Sequence, residues 1–158
     1  MKMNSKPTYI SLFSSAGIGC YGFKLEEFDC IDTNELIARR LEIQKFNNKC
    51  KYESGYICGD ITDDATKSAL YSQISFWRKN EGISRVDVVI ATPPCQGMSV
   101  ANHKKNENEI IRNSLVVESI KIIKQVNPRF FIFENVPAFM KTICTDIDGE
   151  HKSIAAAI

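Results

Sequence analysis

The chain has 158 residues, 44% hydrophobic and 25% charged, which is the composition of one soluble globular domain and leaves no room for a second complete one. Lysine and arginine number 20 against 19 acidic residues, so a net charge of +1 announces neither nucleic acid nor a membrane surface. No apolar run approaches the roughly 20 residues of a membrane span, and the polar N-terminus lacks a signal-peptide core, so the cytoplasm is the expected compartment. Six cysteines without a CxxC pair, beside two histidines, argue against an ordinary zinc site and predict reduced, mostly buried thiols.

In chain order, Tyr9 to Phe13 reads as a first strand, followed by the small-residue turn Ser14-Ser15-Ala16-Gly17-Ile18-Gly19. Such a turn lets a cofactor approach the backbone, although packing alone also favours it, and its spacing is not GxGxxG. Cys30 to Thr33 is the second strand and Glu35 to Asn47 a surface helix. Glu35 could accept both hydroxyls of a ribose or serve as an acid in the first turn of that helix, with Asn34 as its cap. Tyr56 to Cys58 is a third strand, and Asp60 beside Ile61 could take an exocyclic amine or begin the helix over Asp63 to Lys79. That helix carries Leu70, Ile74 and Trp77 on one face.

Val86 to Ala91 and Arg129 to Glu134 are the most apolar strands, as expected of central strands covered on both faces. Between them lie Pro93-Pro94-Cys95-Gln96, a long polar stretch over 97–111, and a helix from about Asn113 to Val126 with a wide apolar stripe. Strands alternating with helices predict an α/β fold with a parallel sheet, whose carboxyl edge binds ligands. Cys95, at a strand end between prolines and a polar stretch, is poorly placed for a core and suited to a nucleophile; a turn cysteine is the plainer alternative. Glu134, at the end of the neighbouring strand, can face the same crevice.

Phe13-Ser14-Ser15-Ala16-Gly17, Asn34-Glu35, Gly59-Asp60-Ile61, Pro94-Cys95-Gln96-Gly97-Met98-Ser99 and Phe133-Glu134-Asn135-Val136, in this order, resemble the motifs of the C5-cytosine DNA methyltransferases. The resemblance covers about residues 8 to 140. It implies a Rossmann-like sheet of candidate order 3-2-1-4-5 and transfer of a methyl group from S-adenosylmethionine, leaving S-adenosylhomocysteine, to C5 of a cytosine flipped out of double-stranded DNA. By the same resemblance Phe13, Ser14, Ser15, Ala16 and Gly17 shape the cofactor pocket with Leu36, Pro93 and Leu115. Glu35 holds the ribose, and Asp60 and Ile61 meet the adenine. Cys95 attacks C6, Glu134 holds the cytosine edge, Asn135 orients the strand end, and Pro94 and Gln96 fix the turn of the thiol. Arg112 and Leu115 resemble the family's next short motif, which would close the polar 97–111 stretch around the flipped base.

The sequence departs from the family at Ser15, which stands at the first glycine of Phe-x-Gly-x-Gly, at Leu36, where a large aromatic is frequent, and at Met98, where phenylalanine is usual. It also stops after Ser153-Ile154-Ala155-Ala156-Ala157-Ile158 with no target-recognition region. The expectation is therefore a partial catalytic domain, its sheet ending after the fifth strand. Alone it should be catalytically silent, prone to self-association, or in need of a second polypeptide. An RNA-directed branch of the family and a non-catalytic subunit of a split enzyme are the alternative readings.

Overall fold

The computed structural model describes residues 6–94 and 115–158. Its frame is a five-stranded parallel sheet of order β3-β2-β1-β4-β5, built from β1 (Thr8–Leu12), β2 (Asp29–Glu35), β3 (Tyr56–Cys58), β4 (Val88–Ala91) and β5 (Phe130–Phe133). Chain order reverses between β1 and β4, so the carboxyl ends of the strands open a crevice there. The expected strand order is the observed one.

Strand β1 shows how a short sequence serves two layers. Ile10 and Leu12 join a core with Leu70, Ile74 and Trp77 of helix α3 (Asp64–Asn80) and with Ile122 and Val126 of helix α4 (Leu115–Val126). Tyr9, one residue out of phase, joins Cys30, Cys50, Val88 and Ile90 under Phe23 of α1 (Tyr21–Leu25). Alternation along the strand thus places helices on both faces. Helix α2 (Ala38–Phe46) turns Leu41 and Gln44 inward. Cys20, Cys30, Cys50 and Cys144 are free and buried, whereas Cys58 is free and exposed.

Several boundaries differ from the sequence reading. Strand β2 continues to Glu35, and α2 begins at Ala38 with Ile37 as its N-cap. Asn34 is therefore not a helix cap and Glu35 is not a first-turn acid. Leucine and isoleucine at 36 and 37 carry no side-chain acceptor to open a helix earlier. The apolar run of β5 is not covered on both faces: Phe130, Phe131 and Ile132 are exposed, because β5 lies at the rim of the sheet.

Beyond β5 the chain forms an antiparallel pair, β6 (Ile143–Thr145) and β7 (His151–Ser153), then a short helix α5 (Ile154–Ala157). The sheet ends at β5, but regular structure does not. Cys144, Ile154 and Phe139 pack with Val116, Val117 and Ile120 on the second side of α4. Among the described residues, no helix is long and apolar enough to cross a membrane.

Candidate functional site

The turn after β1 is held in an alternating backbone conformation. Phe13, Ser15 and Gly17 take positive φ values of 56°, 49° and 86°. A left-handed conformation costs an ordinary L-residue about 1–2 kcal/mol, so Ser15 occupies a place where glycine is the relaxed choice. Neighbouring elements over-determine the turn. The Ser14 amide and hydroxyl both donate to the Asn34 carbonyl at 3.0 Å, and the Ser15 amide donates to Glu35 Oε2 at 2.7 Å. From α2, Gln44 Nε2 donates to Ser14 Oγ at 2.9 Å and to the Ser15 carbonyl, while Gln44 Oε1 accepts from Thr33 at 2.8 Å. At Gly17 a Cβ would come within 3.1 Å of Gln44 Cγ as well as meeting the unfavourable φ.

The end of β2 is buried and polar. Asn34 Nδ2 donates to the carbonyls of Ile57 at 3.4 Å and Gly59 at 3.0 Å, tying β2 to the exit of β3. Glu35 is only 5% exposed. Besides Ser15, its carboxylate accepts the Ile37 amide at 3.0 Å and the Arg40 guanidinium at 3.3 Å, both on Oε1. Two main-chain amides therefore fix the carboxylate in an orientation that the strand by itself would not enforce. Asp60 Oδ1 accepts the amide and hydroxyl of Thr62 at 2.9 and 2.8 Å, shaping the approach to α3. A Cβ at Gly59 would collide with Thr66 Oγ1, so any larger residue there requires the Thr66 side chain to move.

On the other side of the crevice, Thr92 follows β4 and donates its hydroxyl to the Phe13 carbonyl at 2.9 Å. Asn135 Nδ2 donates to the Pro93 carbonyl at 2.8 Å, while its Oδ1 accepts the Val136 amide at 2.9 Å. Asn135 thus ties the exit of β5 to the diproline that precedes Cys95.

These strand ends enclose a cleft of about 590 Å³. Phe13, Ser15, Glu35, Leu36, Asp60, Ile61, Pro93, Pro94, Leu115 and Glu134, all singled out from the sequence, line it. Ser14 does not: it is buried beneath the turn and borders a smaller cavity of about 180 Å³, which Thr92 and Glu134 share. Ala16 and Gly17 line a different cavity, of about 500 Å³, on the α1–α2 side with Tyr9, Gln44 and Lys49. The structure therefore divides the first motif between two faces of the turn. Cys95 and Gln96, with Met98, Arg112 and the 97–111 stretch, lie outside the described residues.

Sequence reasoning missed Gln44, Arg40 and Thr92. Gln44 was detectable in principle as a polar residue three positions after Leu41 on the inward face of α2. Nothing local distinguishes Arg40 from Arg39. The cleft has the volume of a small-molecule site and combines apolar walls with the Glu35 and Asp60 carboxylates, which suits a ligand bearing a ribose diol and a flat base.

Comparison with known proteins finds relatives in sequence and in fold. Type II methyltransferase M1.HgaI of Avibacterium volantium is 36% identical over 135 residues, covering 84% of this chain and 35% of that protein. M.XorII of Xanthomonas oryzae pv. oryzae is 30% identical over 135 residues, covering 84% and 28%. A crystal structure of a prophage-encoded E. coli protein, described as a DNA modification methyltransferase, has a TM-score of 0.60 at 25% identity and covers 85% of this chain and 33% of that one. The chain spans about a third of the length of the relatives it matches. Because residues 8–146 match the model of the C-5 cytosine-specific DNA methylases, the chain belongs to that family.

Proposed function

We propose that this chain is the cofactor-binding and nucleophile-bearing part of an enzyme that methylates C5 of cytosine in double-stranded DNA, using S-adenosylmethionine in a bacterial restriction-modification setting and in the cytoplasm. The observation that carries the reading is the convergence of Glu35, Asp60, Pro94 and Glu134, from four separate strand exits, on one cleft. The relatives support DNA over RNA as substrate, since they are named as type II methyltransferases.

S-adenosylmethionine, when bound, supplies an electrophilic methyl group. Glu35 holds its ribose, Asp60 orients its adenine with Ile61, and Leu36 and Ile37 provide apolar walls. An aromatic pyrimidine carbon is a poor nucleophile, so Cys95 adds as thiolate to C6, and the electron pair of the 5,6 double bond becomes available at C5. Glu134 holds the N3 and amino edge of the base and stabilises the charge that develops there. After methylation, loss of the C5 proton expels the thiolate and restores the double bond. Asn135, through the Pro93 carbonyl, holds the diproline that precedes Cys95 in the sequence.

On this reading, target recognition comes from a region beyond these residues or from a second polypeptide, and the chain by itself does not select a sequence. The exposed Phe130, Phe131 and Ile132 are the surface that such a part, or a second copy of the chain, would cover.

A covalent trap tests the proposal. The chain, reconstituted with the target-recognition part that this reading requires, is mixed with S-adenosylmethionine and DNA bearing 5-fluorocytosine opposite an abasic site, which lowers the cost of extruding the base. Fluorine cannot leave C5 as a proton does, so a denaturant-stable adduct is expected with Cys58→Ser and absent with Cys95→Ser. An adduct mapped to another cysteine, or one formed with fluorinated transfer RNA and not with DNA, would overturn it.

A further inference from the structure

Glu35 enters ligand binding with most of its acceptor capacity in use. A carboxylate offers about four lone-pair directions, two on each oxygen. Oε2 accepts the Ser15 amide, and Oε1 accepts both the Ile37 amide and the Arg40 guanidinium. A ribose diol held in bidentate fashion needs one free position on each oxygen. Oε2 has one; Oε1 does not.

The three donors are not equally replaceable. Ser15 and Ile37 donate from the main chain at 2.7 and 3.0 Å, one fixed by the over-determined first turn and the other by the N-cap of α2. Arg40 donates from the longest distance, 3.3 Å, and its side chain is 47% exposed while that of Glu35 is 6% exposed. Separating a pair with one half-exposed partner costs little, because water takes over the guanidinium hydrogen bonds. Arg40 is also the only one of the three that carries charge, and S-adenosylmethionine arrives with a net positive charge of its own.

We propose that Arg40 is a displaceable competitor for the ribose-binding carboxylate, so that cofactor binding requires the guanidinium to leave Glu35 Oε1. Arg40 then sets the affinity and salt dependence of the cleft and takes no part in chemistry. The inference rests on the reading of the cleft as the S-adenosylmethionine site. It accounts for an arginine lining a pocket that must accept a cationic ligand.

The test is calorimetric titration of the 158-residue chain and its Arg40→Met and Arg40→Gln variants with S-adenosylhomocysteine, and with analogues lacking the 2′- or the 3′-hydroxyl. Both variants are expected to bind S-adenosylhomocysteine about two- to five-fold more tightly than the parent, the modest gain expected when the competitor removed is a half-exposed guanidinium. The gap should narrow only in part as salt is raised to about 0.5 M, since the guanidinium is half-exposed while the carboxylate is buried and such pairs are screened less. It should vanish for the analogue missing the hydroxyl that takes Oε1. Equal or weaker binding by both variants, or a gain that both deoxy analogues retain, overturns the proposal. If parent, Arg40 variants and Glu35→Gln all fail to bind, the cofactor assignment itself falls, and the competitor with it.

Discussion

Strand β2 and strand β5 invert the usual expectation. The second half of β2, Asp32-Thr33-Asn34-Glu35, is polar yet buried, whereas β5 is Phe-Phe-Ile-Phe and its first three residues are exposed. Position in the sheet decides this. β2 lies between β1 and β3 with helices over it, and β5 pairs only with β4 among the strands of this sheet. A buried polar strand is tolerable when each group has a partner, and three of the four do: Thr33 with Gln44 and Lys49, Asn34 with the β3 exit, Glu35 with the first turn. The fourth, Asp32, has both carboxylate oxygens without a hydrogen-bond partner among the described residues. Polarity in β2 lines the cleft; apolarity in β5 stays on the surface.

Breaking the satisfied part of β2 should have the largest effect. Asn34→Ala removes two hydrogen bonds in a buried strand and should lower stability by about 2–4 kcal/mol, read from urea denaturation. A change within about 0.5 kcal/mol would mean that water or a rearranged main chain replaces the amide.

Removing the unsatisfied part should act in the opposite direction. Burial pushes the Asp32 carboxyl well above the usual carboxylate range; the neighbouring Cys30 adds to the rise and Lys49 opposes it. In the unfolded chain an aspartate ionises near pH ~4. As pH rises through that value the unfolded state loses a proton that the folded state keeps, and stability falls. Asp32→Leu should therefore stabilise the chain by about 1–3 kcal/mol at pH 7, with the gain shrinking toward pH 3. A pH-independent gain would show that packing, and not the acid, was responsible.

The smallest effect on stability belongs to β5. Phe130, 66% exposed, contributes little to the core, and Phe130→Lys should leave the urea midpoint nearly unchanged while reducing any concentration-dependent association seen by light scattering. A large loss of stability would mean that the ring is buried in solution, by another copy or by a rearranged rim. Unchanged association would move the self-contact elsewhere.

Much of the site was legible in the chain because its groups sit at strand ends. An apolar run followed by an acidic residue marks the carboxyl edge wherever the strand falls in the sheet, and so Glu35, Asp60 and Glu134 could be identified one strand at a time, whereas Phe13 and Pro93 followed only from the resemblance to the family's motifs. The sequence alone also carried the parallel α/β architecture, through its alternation of apolar strands and striped helices, and the family, through the order of its motifs. Only the tertiary structure decided which residues meet. It put Ala16 and Gly17 behind the first turn and not in the cleft, set Ser15 in a left-handed conformation against Glu35, brought Gln44 from ten residues beyond Asn34 to brace that turn, and laid Arg40 on the carboxylate. Hydrogen bonds between side chains and distant main chain leave no periodic trace in a sequence, and an apolar run reads the same in the middle of a sheet as at its rim.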